Sequence, residues 1–224
     1  MKITILNGTT ENPLQTIGER AGICWGGDIS DKENNIRRAI DCIKSGHGRV
    51  LEYISVEFVV EDMSARAIRE LYTHLAGSPT RLQSSTRYID YNNFSYYTPT
   101  ENEALMKLYD EAMESAAHYY RLLLKEGMKK EDAANVLPLG MMSKVVMKTN
   151  LRMIQNLMGQ RLCTRAYKEM RDFAKLLRQH LYDIDDEWRQ IVKNLFLPKC
   201  QQVGYCTEAK CCGLSEKKEI EWRK

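Results

Sequence analysis

Hydrophobic and polar residues alternate in short stretches of the chain, a pattern that is typical of half-buried β-strands. The first stretch is residues 2–6. The second, residues 51–61, is rich in β-branched and aromatic residues and predicts a long strand. Residues 144–148 form a shorter β-branched run. These segments together predict a modest sheet.

Helical spacing of hydrophobic residues covers most of the remaining chain. Ser30 with Glu33, and Thr100 with Glu103, have the capping-box pattern that opens a helix, and they predict helices over residues 31–45 and 100–125. Ser64 is the predicted N-cap of a helix that glycine and proline at 77–79 end. Further helices are predicted from residue 130 to near 138, and over residues 151–161, 165–181 and 185–196. The fold class is therefore α+β, with helices packed on a modest mixed or antiparallel sheet.

Composition narrows the class of protein. Of the 224 residues, 43% are hydrophobic and 28% are charged, which predicts a soluble globular chain. The net charge of +3, without a basic block, does not favour nucleic acid as a partner. We see no apolar run of membrane length and no pattern of a signal peptide at the start. The odd count of seven cysteines favours free thiols in the reducing cytoplasm.

Four of the cysteines crowd the C-terminal end of the chain, at Cys200, Cys206, Cys211 and Cys212. Thiolates at this density can hold zinc or an iron–sulfur cluster. The spacing fits neither zinc ribbons nor ferredoxins, so a tail of reduced thiols is the alternative, and we assign no metal ligand. We expect a main domain over residues 1–198 and a cysteine-rich tail over residues 199–224.

The predicted helix 151–161 has a polar stripe and an apolar side. At 100° per residue, Arg152, Asn156 and Gln160 lie one above another. Arg161 lies within about 20° of Ile154 and so projects from the apolar side. A buried guanidinium stays charged and needs an anion or strong acceptors. That partner is either a bound anion or an internal carboxylate, for which Glu169 and Asp172 are candidates.

Residues 73–88 combine histidine, arginines, serines and threonines directly after a helix. Hydroxyl groups, backbone N–H groups and guanidinium groups suit a phosphate or a nucleobase edge, and a polar surface loop is the alternative. An aromatic cluster follows and could either stack nucleobases or pack internally. Its members are Tyr88, Tyr91, Phe94, Tyr96 and Tyr97.

Several of these segments together resemble one family. The flavin-dependent thymidylate synthases carry Arg-His-Arg, seven residues, then Ser-x-Arg-Tyr. The corresponding stretch here is Thr73-His74-Leu75, nine residues, then Ser85-Thr86-Arg87-Tyr88. Downstream, the family shows Leu-Pro-Leu, a short strand, Asn-x-Arg, Asn and Arg, in that order. The similar elements here are, in the same order, Leu137-Pro138-Leu139, residues 144–148, Asn150-Leu151-Arg152, Asn156 and Arg161. The resemblance covers about residues 2–196 and implies the fold of the thymidylate synthase complementing proteins.

The resemblance implies an enzyme that methylates dUMP to dTMP, with FAD as cofactor and with methylenetetrahydrofolate and NADPH as co-substrates. It implies a homotetramer whose subunits share the sites. Arg161 would be the catalytic residue, placed at the uracil ring. The implied flavin-binding residues are Thr73, His74, Leu75, Asn150, Arg152 and Asn156, and the implied nucleotide-binding residues are Glu70, Arg81, Gln83, Ser84, Ser85, Thr86, Arg87 and Arg161.

The chain also departs from the family pattern. Thr73 and Leu75 replace the two signature arginines, Ala134 replaces a third, and the loop after them is two residues longer. Arg81, in that longer loop, is our candidate to replace the lost guanidinium. The alternatives are a flavoprotein retuned to another pyrimidine nucleotide, or one that binds flavin without turnover. A helical nucleic-acid-binding module with a zinc-bound tail is the alternative from another class.

Overall fold

A computed structural model describes residues 1–74 and 80–218, with only the backbone of His74. Helices and strands follow one another along the chain as β1 (Lys2–Ile5), α1 (Pro13–Cys24), α2 (Lys32–Lys44), a 3-10 helix (Gly48–Tyr53), β2 (Ser55–Ser64), α3 (Ala65–His74) and β3 (Thr80–Gln83). The remaining elements are α4 (Glu103–Lys125), α5 (Lys130–Ala133), a second 3-10 helix (Ala134–Val136), β4 (Met142–Asn150), α6 (Leu151–Arg161), α7 (Lys168–Tyr182), α8 (Asp186–Leu195) and α9 (Lys199–Val203).

The four strands form one sheet in the order β1-β2-β4-β3, which confirms the expected α+β class. The described residues fall into two compact units. Among the described residues, the first unit comprises residues 1–2, 59–72 and 81–146, and the second comprises residues 3–58, 73–74, 80 and 147–218. None of the helices described is long and apolar enough to cross a lipid bilayer.

Each unit has its own apolar core. Alternate residues of β2 are buried, and in the second unit its Phe58 packs against Phe173 of α7 with ring centroids 6.0 Å apart. Trp188 of α8 is fully buried there, and its indole N–H donates to the Thr10 carbonyl at 2.9 Å. In the first unit, α4, α5 and the segment before β4 enclose a cluster around Tyr120. The period-2 and period-3.6 patterns of the sequence thus produce these cores.

Some predicted boundaries are wrong. Asp31, one residue after Ser30, caps α2 by accepting from the Asn34 N–H at 3.1 Å. Asn102, two residues after Thr100, caps α4 in the same way. Asparagine and aspartate side chains cap the backbone N–H three residues later as well as serine and threonine do. Several neighbouring residues could therefore have been the N-cap of each helix.

The predicted strand 51–61 also begins too early, because residues 51–53 belong to the 3-10 helix. Helix α7 begins at Lys168, three residues after the predicted start. Three elements, α1, β3 and α9, were not predicted. In contrast, Ser64 caps α3 as expected, since its hydroxyl accepts from the Ala67 N–H at 3.1 Å. The predicted stop at residues 77–79 lies outside the described residues.

Candidate functional site

Helix α6 spans the predicted residues 151–161 and carries the polar stripe. Its apolar side, including Ile154, is buried, whereas Asn156 and Gln160 are exposed and Arg152 is half-buried. Asn150 is the N-cap, and its side-chain oxygen accepts from the Met153 N–H at 3.1 Å. This capping bond uses the amide oxygen and leaves the amide NH2 group as a donor. The stripe therefore offers amide and guanidinium donors along one face of the helix.

Arg152 is fixed by a carboxylate from the 3-10 helix. Its Nη1 lies 2.5 Å from Oε1 of Glu52, 100 residues earlier in the chain. A Cβ added at Gly48 would lie 3.4 Å from the Arg152 Nε, so the glycine lets the backbone pass close to the guanidinium. Glu52 was not predicted as part of the site, because the sequence pattern assigned it to a strand.

Arg161 ends α6 and is half-buried. It lines a cavity of about 670 Å³ in the second unit. One wall comprises Gly159, Gln160 and residues 163–166, and the opposite wall comprises residues of the tail between Pro198 and Leu214. The C-terminal end of α6 thus opens directly onto a ligand-sized space.

The sequence analysis named Asp172 and Glu169 as candidate carboxylate partners of Arg161. Asp172 lies 3.0 Å from the Lys168 Nζ, and Glu169 accepts a hydrogen bond from the Tyr167 hydroxyl at 3.3 Å.

The tail cysteines lie around this cavity. The largest single effect on the pKa of Cys206 is a backbone hydrogen bond at Glu208, which lowers it. Desolvation and the nearby thiols of Cys211 and Cys200 raise the pKa, and together they outweigh the hydrogen bond, so the net shift is upward. The pKa of Cys212 is lowered, chiefly by a hydrogen bond from Thr164. Within residues 1–74 and 80–218, no three histidine, cysteine or carboxylate side chains are grouped as metal ligands.

Arg81 and Gln83 of β3 both contact Tyr72 of α3. The Arg81 guanidinium carbon lies 3.9 Å from the centre of the Tyr72 ring. The Tyr72 hydroxyl donates to Gln83 Oε1 at 3.0 Å, and Gln83 Nε2 donates to the Ser143 hydroxyl at 3.3 Å. Burial raises the pKa of Tyr72, and the Arg81 charge partly opposes this shift. Tyr72 was not predicted as part of the site, so its contact with Arg81 was missed.

The turn after β3 carries the predicted phosphate ligands. The Ser84 N–H donates to the Lys144 carbonyl at 2.8 Å, and the Ser85 hydroxyl accepts from the Arg87 N–H at 3.2 Å. Arg87 is exposed, and its Nε lies 2.6 Å from Oε2 of Glu131. An anion that binds Arg87 would have to compete with this carboxylate.

The aromatic cluster mostly packs internally. Tyr91 is buried beside Tyr120, with Phe94 packed against the same group. Tyr96 forms edge contacts with Phe94 and Tyr109, and its hydroxyl donates to Asp110 at 2.9 Å. Tyr88 differs, because 78% of it is exposed.

The predicted site residues lie in two sets. Asn150, Arg152, Asn156 and Arg161 share α6 and its cap in the second unit. Residues 81–87 lie on β3 and the following turn in the first unit, which also contains the half-buried Glu70. Thr73 is exposed near the end of α3. Leu75 and the side chain of His74 lie outside the described residues.

Comparison with known proteins identifies the family. The family model described as Thymidylate synthase complementing protein matches residues 5–185. A flavin-dependent thymidylate synthase of Pyrococcus furiosus is 30% identical over 241 residues, which is 100% of this chain and 97% of that protein. One of Pyrococcus abyssi is 31% identical over 223 residues, with 93% and 90% covered. The chain therefore belongs to the thymidylate synthase complementing protein family, as its motifs predicted.

The fold comparison agrees. A structure of thymidylate synthase X from Helicobacter pylori, solved with FAD and dUMP, is similar with a TM-score of 0.71. The sequences are 20% identical, and the match covers 88% of this chain and 99% of the other. At this identity, the likeness confirms the fold that the resemblance implied.

Proposed function

We propose that this protein is a flavin-dependent thymidylate synthase, which methylates dUMP to dTMP with FAD as its cofactor. Methylenetetrahydrofolate would supply the carbon and NADPH the hydride. The observation that carries the proposal is family membership over residues 5–185. We further propose a cytoplasmic homotetramer whose subunits share the sites.

The donors on α6 and its cap fit a flavin. Asn150, Arg152 and Asn156 present amide and guanidinium groups that suit the phosphates and the polar ring edge of FAD. Thr73, His74 and Leu75 would complete this site. When bound, the flavin supplies the redox chemistry, and the protein orients the reactants and stabilises charge.

The first unit offers groups that fit a nucleotide. Arg81 and Arg87 would bind the phosphate, with the hydroxyl groups of Ser85 and Thr86 nearby. Glu70, Gln83 and Ser84 would complete the binding surface. Charge-assisted hydrogen bonds of this kind are the strong ones in phosphate recognition. Arg81, held over the Tyr72 ring, would supply the guanidinium that Thr73 and Leu75 no longer provide.

Arg161 would stabilise negative charge on the uracil ring at N3 and O2 as the ring is activated. A fixed cation beside a developing anion in a site that excludes water lowers the barrier without reorganisation. The half-buried guanidinium at the edge of a cavity suits this role. Ser85 would act by hydrogen bonding, because its hydroxyl already accepts from the Arg87 N–H.

The test is the absorbance of the purified protein between about 350 and 500 nm, where flavins absorb, followed by an assay of dTMP formation. The proposal expects yellow protein that forms dTMP from dUMP, methylenetetrahydrofolate and NADPH. Yellow protein without dTMP would favour a flavoprotein retuned to another pyrimidine nucleotide, which the replacements Thr73, Leu75 and Ala134 motivate. Colourless protein that binds single-stranded nucleic acid would contradict the proposal.

A further inference from the structure

Four cysteine thiols surround the cavity at the end of α6. Cys163 lies on the α6 side, and Cys200, Cys206 and Cys212 lie on the tail side. All seven cysteines of the chain are free thiols in the structure. These thiols are nucleophilic groups to which the proposed reaction gives no role.

Two thiols of the tail are in direct contact. The Cys206 thiol is hydrogen-bonded to the Cys211 thiol, and the Cys200 thiol lies nearby. The S–S bond of a disulfide is about 2.05 Å long, so two thiols that already hydrogen-bond need only a short movement to form one. Cys206 and Cys211 are therefore the pair that is placed for oxidation.

A loop of the tail begins at Cys206 and returns to it. The Cys206 N–H donates to the Glu216 carbonyl at 2.7 Å, and the Lys218 N–H donates to the Cys206 carbonyl at 2.9 Å. These two bonds form a parallel bridge between Cys206 and Lys217. The bridge closes the loop, and Cys211 lies within it.

Bonds within this loop fix the Cys211 side chain. Its thiol donates to the Ser215 carbonyl at 3.3 Å and accepts from the Gly213 N–H at 3.4 Å. Gly213 has a φ of 84°, a left-handed conformation that suits glycine and turns the chain. The turn and these bonds keep the Cys211 sulfur beside Cys206.

We propose that Cys206 and Cys211 are a redox-active dithiol, which a small-molecule disulfide such as oxidised glutathione converts reversibly to a disulfide. This inference goes beyond the proposed function and does not depend on it. In a reducing compartment a disulfide of this kind is transient and responds to the redox state.

The exposure of the two thiols sets the order of the steps. Cys206 is buried, whereas Cys211 is half-buried and within reach of a small molecule. The Cys211 thiolate attacks the small disulfide RSSR, forms a mixed disulfide and releases one RS⁻. Cys206 then attacks the Cys211 sulfur, forms the S–S bond of the protein and releases the second RS⁻. The two thiol protons pass to the two RS⁻ groups, so the protein loses two electrons and RSSR becomes two RSH.

Oxidation would act on one wall of the cavity. Thr207, Glu208 and Lys210, which lie between the two cysteines, line the cavity on the tail side. Glu208 Oε2 lies 2.6 Å from Nη1 of Arg165 on the other side. A disulfide would join the two ends of this short segment, so the redox state would control how rigid the wall is.

The test maps the disulfide in the full chain. The purified protein is equilibrated with oxidised glutathione, its remaining thiols are blocked with iodoacetamide, and trypsin cleaves it without reduction. Cleavage after Lys199, Lys210 and Lys217 places Cys206 and Cys211 in separate peptides, 200–210 and 211–217. Mass spectrometry should find these two peptides joined, and dithiothreitol should separate them.

Each peptide contains a second cysteine, so variants identify the pair. Cys206→Ser and Cys211→Ser should each lose the joined peptides. Cys200→Ser and Cys212→Ser are the matched controls and should retain them. Joined peptides that persist in Cys206→Ser or Cys211→Ser would overturn the inference, as would their loss in either control.

The wild type provides a decision that no variant affects. If its two peptides stay separate after equilibration with oxidised glutathione, the inference is wrong. Metal analysis of the full chain before oxidation is the second measurement. Zinc bound in a stoichiometric amount and released when these thiols are blocked would also overturn the inference, because it would make them metal ligands.

Discussion

The guanidinium of Arg81 lies over the ring of Tyr72, with 3.9 Å between the guanidinium carbon and the ring centre. Arg81 comes from β3 and Tyr72 from α3, and Gln83 joins them through the Tyr72 hydroxyl. A cation–π contact restricts a side chain that would otherwise move freely. An arginine that packs on a tyrosine ring therefore follows closely after Thr73 and Leu75, the two positions at which the resemblance implies arginines.

Replacing Arg81 by alanine should weaken the binding of dUMP. A charge-assisted contact contributes about 1.5–3 kcal/mol, so the KM for dUMP should rise about tenfold or more while kcat changes little. Steady-state kinetics measure both. Leu82→Ala, at the neighbouring exposed position of β3, is the control and should leave the KM unchanged. An Arg81→Ala variant that binds dUMP as tightly as the wild type would refute the assigned role.

Asn150 should have two separable roles, as the cap of α6 and as a flavin ligand. Asn150→Ala should lower the free energy of unfolding by about 1 kcal/mol and also lose flavin. Asn150→Ser should keep the cap and lose only flavin, because serine caps well but lacks the amide group. Denaturant unfolding and the absorbance of the purified protein give the two readouts.

Asn102 provides the control for this prediction. It caps α4 through the same contact, to the Leu105 N–H at 3.1 Å. Asn102→Ala should lower stability by a similar amount and leave the flavin bound. If Asn150→Ser retained flavin as fully as the wild type, Asn150 would be a structural cap only.

Arg161→Ala should abolish most of the turnover while the protein remains yellow. Removing one preorganised group that stabilises transition-state charge reduces kcat by about 10²–10³-fold. Arg161→Lys should recover part of the loss, because it restores the charge without the planar fork. Lys175→Ala, which removes an exposed charge of α7, serves as the control. Turnover of Arg161→Ala within twofold of the wild type would remove Arg161 from the mechanism.

The stability of the protein should fall at alkaline pH because of Tyr120. Burial raises the pKa of this fully buried tyrosine above its ordinary value of 10.0. The folded state therefore holds the phenolic proton more tightly than the unfolded chain does. The resulting stability is complete below about pH 10 and is lost as the pH rises through the folded pKa.

Tyr120→Phe should reduce this alkaline loss, which urea unfolding at a series of pH values measures. Tyr119→Phe, which changes the exposed neighbour, should show the same decline as the wild type. An identical pH profile for wild type and Tyr120→Phe would show that other groups control the alkaline transition.

Sequence alone determined the features that depend on neighbours a few residues apart. The bounds of α6, the polar stripe on it and the burial of its apolar side follow from side chains at i and i+4. The alternation along β2 is equally local. The family motifs could be recognised from sequence because each consists of residues at short, fixed spacings along the chain.

Tertiary structure decided which distant groups meet. Helix α1 was missed because carboxylates of α8 and its cap satisfy N–H groups at its start: Asp185 accepts from the Asn12 N–H, and Glu187 accepts from the Gln15 N–H. These partners lie 173 and 172 residues away in the chain, so no local pattern indicates them. The pairing of Arg152 with Glu52 and the cavity between α6 and the tail have the same origin. Periodicity shows which face of an element is apolar, but packing selects the side chains that this face contacts.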